Sequence, residues 1–145
     1  MRVAMKTREH ERDFDVARVL LVDDDPAARL TLQTVLEAGG YHVDSAASAA
    51  EAVGKMDERE YELVLSDMVM ESPEAGLKVL AHARMMDYKP ATALVTSYHE
   101  DGSTSDAEVL IEPEDVPGLL EDVASLISER AARKVQRELR HMHPC

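Results

Sequence analysis

The sequence LVLSD at residues 63–67 ends an apolar run in one carboxylate, Asp67, and VLLVDD at residues 19–24 ends an earlier run in two. Continuous apolar runs of this length are typical of strands that are buried on both faces of a parallel sheet. If the two strands are neighbours, their carboxyl ends share the edge at which open α/β folds bind ligands. The two segments therefore predict a site built from carboxylates.

Asp23, Asp24 and Asp67 are the three carboxylates that such a pairing brings together. Like charges at short distance repel each other unless protons or a cation intervene. Mg²⁺ suits this arrangement because it favours one or two carboxylates together with carbonyl, water and phosphate oxygens. The cluster predicts a Mg²⁺-assisted phosphoryl site.

Predicted strands and helices alternate along most of the chain. Such alternation implies right-handed crossovers and an α/β fold, a doubly wound five-stranded parallel sheet in a three-layer α/β/α sandwich. The predicted strands cover residues 18–22, 41–46, 63–67, 91–96 and 107–111, and the predicted helices cover residues 26–38, 49–59, 76–86 and 117–141.

Short-range signals mark the ends of the first two helices. Pro26 suits the first turn of the first helix, and the pair Gly39-Gly40 is expected to end it. Ser48 and Glu51 have the spacing of a capping box at the start of the second helix. The apolar face of the third helix is predicted to contain Leu77, Leu80 and Ala81.

The composition limits the class of protein. The chain has 145 residues, of which 45% are hydrophobic, and this suits one domain with one core. Its net charge is −13, but residues 129–145 contain five basic and two acidic side chains, so residues 1–128 carry −16. An acidic body disfavours nucleic-acid binding, and no apolar run is long enough to span a membrane. The lone cysteine, Cys145, fits a cytoplasmic location.

Three segments are predicted. Residues 1–15 have balanced charge and little apolar periodicity, which is typical of a mobile N-terminal arm. Residues 16–127 form the α/β domain, and residues 128–145 form a C-terminal helical extension and tail. The apolar residues of the extension keep helical spacing, which leaves open either an exposed linker helix or the seam of a homodimer. These residues are Ala131, Val135 and Leu139.

Four motifs resemble those of a known family, the CheY-like receiver domain of bacterial two-component response regulators. The resemblance runs from about Arg18 to Ile127. The motifs are Val22-Asp23-Asp24-Asp25-Pro26, Leu65-Ser66-Asp67-Met68-Val69-Met70, Leu94-Val95-Thr96-Ser97 and Ile111-Glu112-Pro113.

The resemblance implies a role for each residue of the site. Asp67 would be the phosphoacceptor, and Asp24 and Asp67 would bind Mg²⁺ directly. Asp23 would act on the ion through water, and the backbone carbonyl of Val69 would be a further ligand. Thr96 would hydrogen-bond the phosphoryl group. The partners would be a histidine kinase or phosphotransfer protein and a downstream protein target, and the domain would be a phosphoacceptor with at most its own phosphoryl transfer and autodephosphorylation.

The chain departs from the family pattern in the segment after Thr96. Glu112 stands where the family carries a lysine, and Val109 stands where an aromatic side chain often reports the switch. Fifteen residues separate Thr96 from Glu112, which is too few for two loops, a full helix and a strand. The fourth helix of the family is therefore expected to be shortened or missing.

Two alternative functions remain open at this point. A pseudo-receiver would keep the fold and the acidic pocket but signal through binding alone, which Glu112 favours. A phosphatase of the haloacid dehalogenase type would use Asp23 as its nucleophile. That reading leaves Asp67 without a role, and the only lysine after Thr96 is Lys134 in the terminal helix.

Overall fold

The computed structural model describes residues 16–68, 70, 72, 74–95, 110–111 and 116–142. In these residues strands and helices alternate as predicted. Residues 96–109, on which the prediction of a shortened or missing helix falls, lie outside the described part of the chain. The strands are β1 (Arg18–Val22), β2 (His42–Ala46), β3 (Leu63–Asp67), β4 (Ala91–Val95) and β5 (Leu110–Ile111), and the helices are α1 (Pro26–Ala38), α2 (Ala49–Glu58), α3 (Ala75–Arg84) and α4 (Val116–Met142).

The strands form one parallel sheet in the order β2-β1-β3-β4-β5. This order confirms the predicted doubly wound fold. The register places Val22 beside Ser66 and Asp67 beside Val95. Asp23, one residue beyond Val22, is therefore level with Asp67, and the ends of β1, β3 and β4 meet at one edge of the sheet.

Two layers of apolar side chains cover the faces of the sheet. Because neighbouring residues of a strand point to opposite faces, Leu20 and Val64 join one layer while Leu21 and Leu65 join the other. Helices α2 and α3 pack on the first layer, and α1 and α4 pack on the second. Strand β3 lies at the centre of the sheet and is buried from Leu63 to Ser66, which explains its uninterrupted apolar character.

The local signals for helix ends hold in the structure. Asp25 caps α1 by accepting a hydrogen bond from the backbone N–H of Ala27, and Pro26 occupies the first turn. At the other end Gly40 has a φ of 102°, a left-handed conformation that glycine adopts without strain. Ser48 caps α2 by accepting from the Glu51 N–H at 3.1 Å. The Glu51 carboxylate in turn accepts from the backbone N–H of Ala47.

The predicted apolar face of α3 is wrong in two of its three members. Leu77 is 45% exposed and Ala81 is exposed, whereas Leu80 is buried. The helix is rotated so that Gly76 meets the end of β3, and this rotation turns Leu77 outward. The buried face therefore consists of Ala75, Gly76, Val79, Leu80 and Ala83.

The last described residues of the chain belong to the fifth strand and the terminal helix. Only the last two residues of the predicted strand 107–111 are described, and they pair with β4. Helix α4 crosses residue 127 without a break, and Arg130 is buried while residues 131–140 of the helix are exposed or half-buried. The Arg130 side chain donates hydrogen bonds to the backbone carbonyls of Tyr88 and Lys89 at 2.8 and 3.1 Å. None of the described helices is both long and apolar enough to cross a membrane.

Candidate functional site

The structure brings Asp23, Asp24 and Asp67 together at the carboxyl edge of the sheet. One carboxylate oxygen from each of the three side chains lies within 4.8 Å of the others. Asp23 and Asp24 lie in the loop that connects β1 to α1, and Asp67 is the last residue of β3. The parallel pairing of β1 with β3 produces this cluster, because it places the two strand ends side by side.

Asp23 is the most buried of the three, with 4% of its surface exposed. Its backbone N–H donates to the carbonyl of Ala46, and its Oδ1 accepts from the Asp25 N–H at 2.9 Å. Burial raises the pKa of Asp23, and the Asp25 N–H opposes that shift only in part. The neighbouring charges of Asp24 and Asp25 raise the pKa further, while Arg29 lowers it.

Arg29 fixes the position of the loop that holds Asp23. Its Nη1 donates to the backbone carbonyl of Asp23 at 2.7 Å. Arg29 lies in the first turns of α1 and reaches back across the loop. A sequence shows that an arginine is present, but it does not show that the side chain folds back on this carbonyl, so the contact was not predicted.

Asp67 lies where α3 closely approaches the end of β3. The backbone carbonyl of Asp67 is 2.7 Å from the position that a Cβ atom would take on Gly76. A side chain at residue 76 would therefore push the helix away from the end of the strand. The half-buried Asp67 side chain and the exposed Asp24 side chain lie nearer to solvent than Asp23 does.

A cleft of about 320 Å³ opens beside the carboxylates. Its walls are made by the first turns of α1 and by the ends of β3 and β4. Small side chains on α1 leave room next to the acidic groups. The lining residues are Asp23, Asp25, Ala27, Ala28, Thr31, Leu32, Asp67 and Val95.

Several predicted site residues lie outside the described part of the chain. These are Val69, Thr96 and Glu112, together with Val109 at the position of the usual aromatic. Met68 and Val95, which adjoin Val69 and Thr96 in sequence, are described and are joined by a hydrogen bond from the Met68 N–H to the Val95 carbonyl at 2.9 Å. The roles predicted for Val69, Thr96 and Glu112 stay predictions.

The chemistry of the donor set fits a hard divalent cation. The three side chains supply only carboxylate oxygens, which Mg²⁺ prefers over nitrogen or sulfur ligands. A cation would also relieve the repulsion between them. The adjoining cleft leaves space for water and for a phosphoryl group, which Mg²⁺ commonly keeps as further ligands.

Comparison with known proteins gives one consistent family. The model of the response regulator receiver domain matches residues 19–111. The transcriptional regulatory protein TrcR of Mycobacterium tuberculosis is 31% identical over 90 residues, which are 62% of this chain and 35% of that protein. The response regulator receiver protein CpdR of Brucella abortus is 27% identical over 116 residues, which are 76% of this chain and 96% of that protein.

A solved structure of the same kind aligns with most of the chain. The response regulator protein TrrA of Thermotoga maritima, in complex with Mg²⁺–BeF, is 30% identical and superposes with a TM-score of 0.66. The alignment covers 77% of this chain and 99% of that one. The chain thus spans about a third of TrcR and nearly the whole of CpdR and TrrA.

Proposed function

Because the chain belongs to the response regulator receiver domain family of two-component systems, we propose that it receives a phosphoryl group on Asp67 and signals through contacts with other proteins. The donor is a histidine kinase or a phosphotransfer protein, and the receiver of the signal is a downstream protein. One observation carries this proposal: Asp67 lines a cleft together with Asp23, and one carboxylate oxygen each from Asp23, Asp24 and Asp67 lies within 4.8 Å of the others.

In this proposal Asp24 and Asp67 would hold Mg²⁺ directly, Asp23 would act through water, and the Val69 carbonyl would supply a further oxygen. When bound, the ion neutralises charge that develops on the transferring phosphoryl group. Support comes from the purely carboxylate donor set and from TrrA, a similar protein whose structure was solved with Mg²⁺–BeF. Thr96, which follows β4 directly, hydrogen-bonds the phosphoryl oxygen once the transfer is complete.

Asp67 is better placed than Asp23 to act as the nucleophile. Asp67 is half-buried at the cleft, whereas Asp23 is only 4% exposed. The Asp67 carboxylate attacks phosphorus, and the bond from phosphorus to the donor nitrogen breaks. The family assignment and this difference in exposure both speak against a dehalogenase-type phosphatase with nucleophilic Asp23.

Glu112 favours a second candidate, a pseudo-receiver that binds partners without being phosphorylated. A carboxylate at residue 112 cannot pair with a phosphoryl oxygen as the family's lysine does. It would add a fourth acid to the cluster. The acidic cleft would then serve as a cation site or a binding surface alone.

The test is the intact mass of the protein after incubation with acetyl phosphate and Mg²⁺. We expect the mass to rise by one phosphoryl group in the wild type and to stay unchanged in Asp67→Asn. Asp122→Asn is the matched control, because Asp122 is an exposed aspartate on α4 outside the cleft, and it should accept the group like the wild type. If no phosphoryl adduct forms at saturating donor and Mg²⁺, the pseudo-receiver function is the one that remains.

A further inference from the structure

Two grooves of opposite charge adjoin each other at the amino edge of the sheet, away from the carboxylate cluster. Both are lined in part by the turn between α3 and β4, residues 85–90. The first, which we call the basic groove, has a volume of about 380 Å³. Its charged lining residues are Arg84, Lys89, Glu129, Arg133 and Arg137, a net charge of +3.

The second, which we call the acidic groove, has a volume of about 560 Å³. It lies between the ends of α2 and α3. Its charged lining residues are Asp57, Glu58, Arg59, Glu60 and Asp87, a net charge of −3. The two grooves therefore carry equal and opposite charge, in a chain whose net charge is −13.

The basic groove is held in place by a buried contact. Arg130 is 9% exposed and donates hydrogen bonds to the carbonyls of Tyr88 and Lys89, so it fastens α4 to the turn. Arg133 and Arg137 follow one and two turns later on the same side of the helix.

The acidic groove contains several carboxylates at the end of a helix, a position that is unfavourable for negative charge. Asp57 and Glu58 are the last two residues of α2, and the carboxyl end of a helix carries partial negative charge that repels anions. The one arginine of the groove, Arg59, contacts Asp44 outside the groove at 3.6 Å. His82 offsets Asp57 only when it is protonated. Burial, and after it the negative charges of Glu60 and Asp57, raise the pKa of the nearby Tyr88 to about 12.

An exposed apolar side chain lies beside the charged residues. Met85 is 75% exposed and lines the acidic groove, while its sequence neighbour Arg84 lines the basic one. The boundary between the two grooves thus runs through the turn. Charged rims around an exposed apolar centre are the usual composition of a protein interface.

We propose that a second copy of this chain binds at the amino edge, with the basic groove of each copy facing the acidic groove of the other. Adjacent patches of opposite sign are self-complementary under a two-fold rotation whose axis passes between them, which is the isologous arrangement of most homodimers. The two Met85 side chains then meet close to the axis. The carboxylate cluster lies at the opposite edge of the sheet, so this association does not depend on phosphorylation of Asp67.

The test is sedimentation equilibrium of the full chain and of charge-reversed variants. The wild type should dimerise at about 0.1 M NaCl and dissociate as salt approaches about 1 M, where charges are screened beyond about 3 Å. Arg133→Glu/Arg137→Glu makes both grooves acidic, and Glu58→Lys/Glu60→Lys makes both basic. Each double variant alone should dimerise at least about tenfold more weakly than the wild type, because like charges then face each other.

The decisive experiment mixes the two double variants. Each groove of one variant then faces a groove of opposite charge on the other variant. We expect an equimolar mixture to form a heterodimer with an affinity close to that of the wild-type dimer. Glu37→Lys/Glu121→Lys is the control, because it changes the net charge as much as Glu58→Lys/Glu60→Lys does but at exposed sites outside both grooves. A wild type that stays monomeric, or a dimer that the groove variants leave intact, would overturn the proposal.

Discussion

Asp23 is buried to a degree that is unusual for an aspartate, and its burial makes its charge costly. Its pKa is raised above the ordinary value, first by burial and then by the adjacent acids. A carboxyl group whose pKa is raised on folding binds its proton more tightly in the folded state. It therefore contributes stability below its unfolded-state pKa, and that contribution is lost as pH rises through the folded-state value. At neutral pH the ionised Asp23 works against the fold.

The variant Asp23→Asn should for this reason have a higher melting temperature than the wild type at pH 7 in the presence of EDTA. Asparagine keeps the oxygen that accepts from the Asp25 N–H but carries no charge. The advantage should shrink as pH falls towards the ordinary pKa of aspartate, because the wild-type group then becomes neutral too. Thermal melts followed by circular dichroism measure both effects.

Asp122→Asn, an exposed aspartate on α4, serves as the control and should leave the melting temperature nearly unchanged. A lower melting temperature for Asp23→Asn without divalent ions would mean that local hydrogen bonding outweighs burial in this loop.

At the scale of elements, the contact between α3 and β3 determines how closely the helix lies beside Asp67. Gly76 allows the helix to approach until its backbone nearly touches the carbonyl of Asp67. This approach also explains why Leu77 faces solvent, since the helix turns its smallest residue towards the strand. The position of Asp67 thus depends on a residue that has no side chain.

Gly76→Ala should destabilise the protein by about 1–3 kcal/mol, the usual cost of overpacking a tight contact. Its Cβ would lie 2.7 Å from a backbone oxygen, which cannot move aside as a flexible side chain could. The free energy of unfolding, measured by urea denaturation, reports the effect.

Gly54→Ala is the matched control, because Gly54 lies inside α2 and a Cβ there would have no neighbour within 4 Å. That variant should stabilise the protein by about 0.5–1 kcal/mol, since alanine is the better helix former. If both variants behaved alike, the close approach at Gly76 would not be the cause.

At the scale of the whole molecule, folding creates the carboxylate cluster from segments more than forty residues apart in sequence. A cation that binds the cluster therefore binds the folded state, and mass action converts that preference into stability. The free energy of unfolding rises by about 2.7 kcal/mol when the free cation concentration is about a hundred times the dissociation constant.

Millimolar Mg²⁺, Mn²⁺ or Ca²⁺ should consequently raise the melting temperature of the wild type by several degrees. Asp24→Asn should reduce the response, because Asp24 would be a direct ligand. Sodium chloride at equal ionic strength separates specific binding from general screening. If melting is indifferent to divalent ions, the cluster is not a metal site.

Local sequence determined the elements and their ends. Apolar runs predicted the strands, and the capping residues Asp25 and Ser48 act within four residues of themselves, so their effect is visible without a fold. The order of strand and helix then left one common topology for a parallel sheet, and the acids at two strand ends were expected at one edge.

Tertiary structure alone decided which helix faces are buried and which side chains come into contact. Both depend on packing between residues that are far apart in the chain. The rotation of α3 follows from its fit against Asp67, and so Leu77 was misassigned. The contacts of Arg29 and Arg130 with backbone carbonyls, and the opposite charges of the two grooves, arise the same way. From the sequence alone a charged residue is expected to be solvated, and only the fold shows whether a partner lies beside it.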